Sequence, residues 1–294
     1  MKQRAITSLL IVVGLVAVLF LSWTPVYPII LSVFSVFAAF EVLKVFNLHF
    51  RLFLAVPAYL ISAIMPCLAF ILDKQKTGLF GLPANLVFLL ILAATLYAFM
   101  LYLFVVAVCE RGRMPFGEFA SAFIMVVYMV TAFSALSLIR YIDGIGLFCL
   151  GMILISAWVT DVGAYLVGYF FGKHKLIPEV SPKKTVEGAI GGILSSVGGM
   201  MLYGLIVSLV TSKIDAIHAV SPNYLVLGLA GGVLSVISQV GDLIASVIKR
   251  ENGVKDYGKI FPGHGGVMDR FDSILAVSMA TLIICLLVAP FSIV

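Results

Sequence analysis

Long apolar runs recur along almost the whole chain and are separated by short polar segments. Each run has 18 or more residues, which is enough to cross roughly 30 Å of hydrocarbon as a helix. The two-residue alternation of a membrane barrel is absent from the sequence pattern, and backbone groups in lipid must be satisfied within the segment. We therefore predict an all-α, polytopic integral membrane protein with about nine transmembrane helices. The predicted spans are 5–22, 25–46, 53–72, 83–108, 118–139, 144–170, 187–210, 223–248 and 268–292.

Composition supports this prediction and narrows the class of protein. Hydrophobic residues make up 62% of the chain and charged residues 11%, which is far too apolar for a soluble domain of this length. The first apolar run continues to about Leu21 without a small-residue cleavage site, so we interpret it as a retained first span. The four cysteines are scattered and lie mostly in apolar segments, so neither a disulfide framework nor a zinc site is predicted.

The basic residues are distributed unequally between the two sides of the membrane. With the N-terminus in the cytoplasm, the nine spans put fifteen lysines and arginines on the cytoplasmic side and four on the other side. This bias predicts a multi-pass protein of the bacterial inner membrane, or an equivalent membrane, with its N-terminus in the cytoplasm. The formal net charge of +5 follows from the same bias, so the bilayer is a predicted partner and nucleic acid is not.

The two halves of the chain differ in chemical character. Residues 1–140 hold about five spans with few charges, and Glu41 and Lys44 could pair on one helical face. We predict a transmembrane scaffold for this half, with a lipid-facing groove or subunit contacts as the alternative. Residues 141–294 hold most of the polar chemistry, and we predict that they form the catalytic region, with cytoplasmic loops 171–187 and 249–267.

Asp161 is the first charged residue predicted to lie well inside the membrane. It precedes the next loop by about nine residues, so at the helical rise it lies roughly 13 Å inside the helix end. A carboxylate there costs on the order of 3 kcal/mol to insert, and such residues face a wet cavity or the interior of a bundle. A hydrogen-bond anchor between helices is one interpretation, and a functional carboxylate is the one that we favour.

The loop after this span resembles the start of a helix that could bind a phosphate. The segment Ser181-Pro182-Lys183-Lys184-Thr185-Val186-Glu187-Gly188 offers two hydroxyls that can cap a helix N-terminus. A helix N-terminus with lysines beside it is a ready anion site. An ordinary basic loop is the alternative. The predicted substrate-binding residues of this loop are Ser181, Lys183, Lys184, Thr185 and Glu187.

A second dense group of charges surrounds the loop between the last two spans. Asp242, Ser246 and Lys249 share one face at the end of span eight. Asp269 and Asp272 open span nine and flank Arg270, so two helices could bring Asp242 and Asp269 together. Carboxylate oxygens suit Mg²⁺, which uses one or two carboxylates with phosphates and water. We predict Asp242 and Asp269 as metal ligands, with Asp161 or Asp272 as a reserve.

The same loop supplies groups that suit phosphate oxygens. A glycine-rich turn, Pro262 to Gly266, would let backbone N–H groups approach an anion through Gly263, Gly265 and Gly266. His264 could contact phosphate or act as an acid, although a loop histidine is often only a polar surface residue. The basic residues predicted to hold phosphates are Lys249, Arg250, Lys255 and Arg270.

These groups together favour phosphoryl or nucleotidyl transfer with Mg²⁺, in which catalysis is chiefly positioning and charge stabilisation. No P-loop motif, H-E-x-x-H motif or G-x-S-x-G motif is present in the sequence. A nucleotide fold of that type, an intramembrane zinc protease and a serine lipase are therefore disfavoured.

The segment from Ser246 to Asp272 resembles the signature of the phosphatidate cytidylyltransferase (CDP-diacylglycerol synthase) family. D-V-G-A-Y, beginning at Asp161, and F-G-K-H-K-L-x-P-x-x-S-P-K-K-T-x-E-G also resemble it. The signature elements occur in the family's order as Ser246, Lys249-Arg250, Lys255-Asp256, Pro262 to Gly266, and Asp269-Arg270-Phe271-Asp272.

The resemblance implies an enzyme that makes CDP-diacylglycerol and pyrophosphate from CTP and phosphatidate. It implies Mg²⁺ at Asp242 and Asp269, a triphosphate held by the basic residues named above, and a role for Asp256, His264 and Asp272 in the catalytic site. A second cation and a homodimer are further expectations from the family.

Two other classes remain open from the sequence. A related CTP-dependent enzyme, such as a polyprenol kinase or an archaeol cytidylyltransferase, would differ in its lipid substrate. An ion-coupled transporter would use Asp161 and Asp242 as ion ligands near the midplane, often in repeated halves. Because the charges cluster at one predicted face and in one half of the chain, we favour the enzyme.

Overall fold

The computed structural model describes residues 14, 17–74, 82–110, 115–213, 219–263 and 265–293. Within these residues, eight helices are long and apolar enough to cross a membrane. The prediction of an all-α polytopic membrane protein is confirmed. The first predicted span, 5–22, lies mostly outside the described residues.

The helices agree closely with the predicted spans, and the connections contain four short strands. The helices are α1 Val26–Val45, α2 Leu52–Lys74, α3 Ala84–Cys109, α4 Phe116–Arg140, α5 Gly146–Phe171, α6 Val186–Thr211, α7 Tyr224–Glu251 and α8 Met268–Val288. The strands are β1 Lys175–Ile177, β2 Ser181–Thr185, β3 Val220–Pro222 and β4 Phe291–Ile293.

The chain divides into two compact units. The first unit draws its described residues from 1–141 and 252–270, and the second from 142–251 and 271–294. In the first unit, α2 packs against α1, α3 and α4. Tyr27 Oη donates a hydrogen bond to the Leu136 carbonyl at 3.0 Å, and Ser137 Oγ donates one to the Pro66 carbonyl at 2.6 Å. These bonds satisfy buried polar groups that lipid could not satisfy.

In the second unit, α6 packs against both α5 and α7, and α5 also contacts α7. Close approach depends on small residues, as is usual for membrane helices. A Cβ at Gly191 would fall on the Val167 side chain, and one at Gly163 would fall on Ser195. Thr160 Oγ1 also donates a hydrogen bond to Ser235 Oγ at 2.9 Å, which joins α5 to α7.

The strands correct the sequence prediction in two places. Strands β1 and β2 form an antiparallel hairpin within the loop that follows α5. Strand β4 pairs antiparallel with β3, so the last helix ends at Val288 rather than at residue 292. Pro290 cannot continue a helix, and Ala289 has a positive φ of 43°. Because the last residues are apolar, the sequence pattern did not indicate that the helix ends and a strand begins there.

Candidate active site

A cavity of about 480 Å³ lies in the second unit at the end of α5 that leads into the β1–β2 hairpin. Its walls come from α5, the hairpin, the first turn of α6 and one side chain of α7. The lining side chains include three lysines, one carboxylate, one amide and two tyrosines. They are Lys175, Lys183, Lys184, Asp161, Gln239, Tyr165 and Tyr169.

The hairpin positions the lysines because of how it runs into α6. Lys175 pairs with Thr185, and Ile177 pairs with Ser181. Thr185 is the N-cap of α6, and its hydroxyl accepts a hydrogen bond from Gly188 N at 3.1 Å. The capping role that the sequence offered to two hydroxyls therefore belongs to Thr185, while Ser181 begins strand β2. Lys183 and Lys184, which lie in strand β2, both line the cavity.

Glu187 fixes the other end of this connection. Its carboxylate accepts hydrogen bonds from the backbone N–H groups of Lys173 at 3.1 Å and of His174 at 3.2 Å. The His174 ring lies 2.6 Å from the same carboxylate through Nδ1. Glu187 therefore ties the start of the loop to the start of α6. The predicted contact between Glu187 and a substrate stays a prediction.

Carboxylates and lysines meet beside the cavity. Lys184 Nζ forms an ion pair with Asp242 Oδ2 of α7. Asp161 interacts electrostatically with both of these residues, and Asp272 interacts with Asp242, Asp161 and Lys249. We call Asp161, Asp242 and Asp272 the acidic cluster. Like charges on three helices would repel one another, and the Lys184 ammonium group offsets part of this repulsion.

One glycine lets two helices of the cluster approach closely. A Cβ at Gly241 would fall on the Ala276 Cβ and lie 3.3 Å from the Asp272 carbonyl oxygen. A larger residue there would separate α7 from α8 and increase the distance between Asp242 and Asp272. The glycine therefore determines the geometry of the acidic cluster.

The signature loop, residues 252–268, lies in the first unit and has its own anchors. Asp269 is 7% exposed, and its Oδ2 accepts hydrogen bonds from Tyr257 N at 2.8 Å and from Gly266 N at 3.0 Å. Phe261 N donates to the Gly265 carbonyl at 2.9 Å. Gly263 and Gly265 have φ values of 76° and 83°, which side chains rarely adopt.

Glu41 is the second anchor of the signature loop. It is 2% exposed, and its two carboxylate oxygens accept hydrogen bonds from Val267 N at 3.0 Å and Met268 N at 2.9 Å. A Cβ at Gly258 or Gly266 would fall on this carboxylate. The negative charge also lies at the N-terminus of α8, where it is favoured by the helix dipole.

The structure does not form the ion pair between Glu41 and Lys44 that the sequence allowed, although Lys44 still interacts electrostatically with Glu41. Glu41 bonds to backbone of the signature loop instead, and Lys44 Nζ lies 6.0 Å from the centroid of the Phe40 ring. The sequence signal that could have identified this role was the charge itself. An isolated acidic residue in an otherwise apolar scaffold needs a partner, and here the partner is 226 residues away in the chain.

The remaining predicted residues divide between the two units. Ser246 and Lys249 are half-buried on α7, and Arg250 is exposed. Lys255, Asp256 and Arg270 are exposed in the first unit, and His264 lies outside the described residues. Asp242 and Asp269 belong to different units, and each has the protein partners described above. Their shared role as metal ligands stays a prediction.

The donor set suits a hard cation together with phosphate. Within the described residues, no three His, Cys, Asp or Glu side chains are grouped so that they could hold a metal ion by themselves. Mg²⁺ is commonly bound by only one or two carboxylates, with substrate phosphates completing its shell. The acidic cluster, with lysines on the cavity wall beside it, fits this mode of binding.

These features define a class of protein: a polytopic membrane protein with a lysine-lined cavity and carboxylates beside it, between the helices of its second unit. The chain belongs to the cytidylyltransferase family, whose sequence model matches residues 2–288.

Curated relatives cover nearly the full chain. A protein of Staphylococcus epidermidis is 34% identical over 278 residues, which is 94% of this chain and 96% of the relative. One of Staphylococcus aureus is 34% identical over 281 residues, with the same coverage of both chains. One of Bacillus subtilis is 40% identical over 179 residues, which is 60% of this chain and 62% of the relative. All three are named phosphatidate cytidylyltransferase.

Proposed function

We propose that this protein transfers the cytidylyl group of CTP to phosphatidate, giving CDP-diacylglycerol and pyrophosphate for phospholipid biosynthesis. The observation that carries this proposal is the cavity of the second unit, where three lysines line the wall and the Lys184–Asp242 ion pair lies beside Asp161. Cations suit the phosphates of both substrates, and the relatives named above carry this activity in their names.

The reaction requires positioning more than proton transfer. A phosphatidate oxygen attacks the α-phosphorus of CTP, one P–O bond forms, and the bond from the α-phosphorus to the bridging oxygen of pyrophosphate breaks. The attacking oxygen is already ionised, so no strong general base is required. Lys175, Lys183 and Lys184 hold phosphate oxygens in this arrangement and neutralise the charge that develops on the leaving group.

We also propose that Mg²⁺ binds at Asp242 and Asp269, with Asp161 or Asp272 as a reserve ligand. A triphosphate carries several negative charges, and it would enter a region that already holds the acidic cluster. A divalent cation removes this repulsion and, when bound, stabilises charge on the nucleotide phosphates. Lys184 already neutralises Asp242 in part, and its ammonium group would be available to a phosphate oxygen if a cation were held by Asp242 instead.

The membrane arrangement and the assembly state form part of the same proposal. The fifteen-to-four bias of basic residues supports a cytoplasmic N-terminus and a cytoplasmic active site. Such a site receives CTP from the cytosol, while the lipid arrives from the surrounding leaflet. The homodimer and the second cation are implied by the resemblance alone.

The test is a product assay on the purified protein in detergent micelles. Labelled CTP, phosphatidate and Mg²⁺ are expected to give a CDP-lipid and an equal amount of pyrophosphate. Chelation with EDTA is expected to stop the reaction, and replacement of CTP by ATP is expected to give no nucleotidyl lipid. Both the CDP-lipid and pyrophosphate are measured, because formation of pyrophosphate distinguishes nucleotidyl transfer from kinase activity.

Parallel reactions with other lipids test the competing interpretations. A phosphorylated prenol without CDP-lipid would indicate a CTP-dependent kinase. A higher rate with an archaeol phosphate than with phosphatidate would indicate the archaeal-type substrate. Absence of turnover with every CTP and lipid pair, in protein shown to be folded, would contradict the enzyme proposal and make ion transport the next assay.

A further inference from the structure

Gln239 is the neutral amide among the charged groups of the cavity. It lies on α7, three residues before Asp242, so both side chains project from the same helical face. Asp242 forms the ion pair with Lys184 that the proposed reaction assigns to phosphate and cation chemistry. Gln239 is therefore about one helical turn away from the phosphate region, on the side away from the C-terminal end of α7.

The amide of Gln239 is held in one orientation. Its Nε2 donates a hydrogen bond to the Ala189 carbonyl at 3.2 Å and a longer one to Ser235 Oγ at 3.4 Å. A carbonyl oxygen can only accept, so the nitrogen must face Ala189. Ser235 Oγ in turn accepts from Thr160 Oγ1 at 2.9 Å, which restricts the position of that hydroxyl.

This network leaves Oε1 of Gln239 as a fixed acceptor. The two donor hydrogens of the amide are used by Ala189 and Ser235, and no group of the described residues donates a hydrogen bond to Oε1. The side chain is half-buried and lines the cavity. A fixed amide oxygen in a partly desolvated cavity selects a ligand that presents an N–H or O–H group.

We propose that Gln239 determines nucleotide specificity by accepting a hydrogen bond from the exocyclic amine of the cytosine base. The inference rests on the function proposed above. Cytosine presents an amine donor at C4, whereas uracil presents a carbonyl oxygen at the same position. A fixed acceptor therefore attracts cytosine and repels uracil. The base occupies the neutral part of the cavity, and the triphosphate occupies the part that contains Lys184.

Two aromatic side chains complete the surface for the base. Tyr165 and Tyr169 line the same cavity, and their rings stack with centroids 6.2 Å apart and planes inclined by 24°. Aromatic faces bind any base by stacking and therefore add affinity without selectivity. The amide is needed to distinguish one pyrimidine from another. Asp161 is a weaker candidate for this role because its electrostatic neighbours are Asp242 and Lys184.

The experiment compares two nucleotides in two proteins. CTP is compared as a substrate with the triphosphate of the pyrimidin-2-one riboside. This analogue differs from CTP only in lacking the amine. In the wild-type protein, kcat/KM for this analogue is expected to be about 10- to 100-fold lower than for CTP. In Gln239→Leu, kcat/KM for CTP is expected to fall by a similar factor, and the two nucleotides become nearly equivalent.

The ratio of the two rates separates recognition from structural damage. A variant that is only misfolded or distorted loses both activities together and keeps the wild-type ratio of the two rates. An unchanged ratio in Gln239→Leu would therefore overturn the inference. Val240→Leu, at the adjacent exposed position, is the matched control and should leave both rates unchanged. Gln239→Met keeps the length of the side chain and replaces the leucine variant if the latter does not fold.

The wild-type comparison requires no variant and is decisive by itself. Equal use of CTP and the analogue by the wild-type protein would contradict a role for any amine acceptor, including Gln239. Failure of the wild-type protein to form a CDP-lipid from CTP would instead contradict the proposed function. The two failures are therefore distinguished in the same set of assays.

Discussion

Replacement of Asp242 by Asn is expected to abolish formation of CDP-lipid, with a loss of about 10³-fold or more in kcat. The substitution removes the carboxylate that pairs with Lys184 and interacts with Asp161 and Asp272. It also removes one proposed ligand of Mg²⁺. The rate of product formation is measured over a range of Mg²⁺ concentrations, because loss of a ligand should also raise the concentration required.

Asp143→Asn is the matched control for this substitution. Asp143 is an exposed carboxylate just before α5, and Asp161 lies on the same helix, about ten residues before its end at Phe171. The control should retain wild-type activity. Lys184→Met provides a second comparison, since it breaks the ion pair but keeps the carboxylate. Full activity of Asp242→Asn would reject Asp242 as a metal ligand.

Two roles are proposed for the Asp269 side chain: it anchors the signature loop, and it binds the proposed metal ion. The substitution Asp269→Asn distinguishes these roles. The Oδ2 atom of Asp269 accepts two backbone hydrogen bonds, and the amide oxygen of an Asn can accept the same bonds. If the side chain only anchors the signature loop, Asp269→Asn should remain active. We expect loss of activity in a folded protein, because the proposed metal site requires the negative charge.

Glu41→Gln is expected to reduce activity by about 100-fold, although Glu41 lies in the half of the chain predicted to be scaffold. Its carboxylate accepts hydrogen bonds from Val267 N and Met268 N, and a Gln side chain presents only one acceptor oxygen to these two donors. Hydrogen bonds to charged groups contribute about 1.5–3 kcal/mol each, and small displacements of catalytic segments cost about 10²-fold in rate. The measurements are kcat/KM and protease sensitivity of the signature loop.

A second substitution should reproduce this effect from the opposite side of the contact. A Cβ at Gly266 would fall on the Glu41 carboxylate, so Gly266→Ala should displace the same segment. Glu118→Gln, at an exposed position in the first turn of α4, is the matched control and should behave as the wild type. Wild-type kinetics in both Glu41→Gln and Gly266→Ala would contradict a positioning role for Glu41.

The transmembrane helices were predictable because lipid imposes a simple rule on the sequence. Apolar length alone placed α1 and α2 within about two residues of their observed ends, although Pro57 and Pro66 lie inside α2. The sequence also indicated an N-cap in the segment before α6, at one of two hydroxyls that include Thr185, because a hydroxyl before a glycine-rich apolar segment is a local signal.

The two small sheets and the Glu41 anchor were not predictable in the same way. Strands of three to five residues carry too little periodicity to be recognised, and β3 pairs with β4 across about 70 residues of chain. The bond between Glu41 and the signature loop is still more distant in sequence. Local patterns cannot report such contacts. The amide of Gln239 was missed for a different reason, because a single Gln in an apolar span suggests no particular ligand.

The long separation between Glu41 and its partners has a consequence for biosynthesis. At roughly 5–20 residues per second, the ribosome needs about 11–45 s to add the 226 residues between Glu41 and Val267. By the end of that interval α1 to α7 have been synthesised, but throughout it the Glu41 carboxylate lacks both of its backbone donors. The N-terminal helices therefore cannot complete their fold until the last helix begins to emerge. Premature termination anywhere before residue 267 would therefore leave the buried Glu41 carboxyl group without either of its backbone donors.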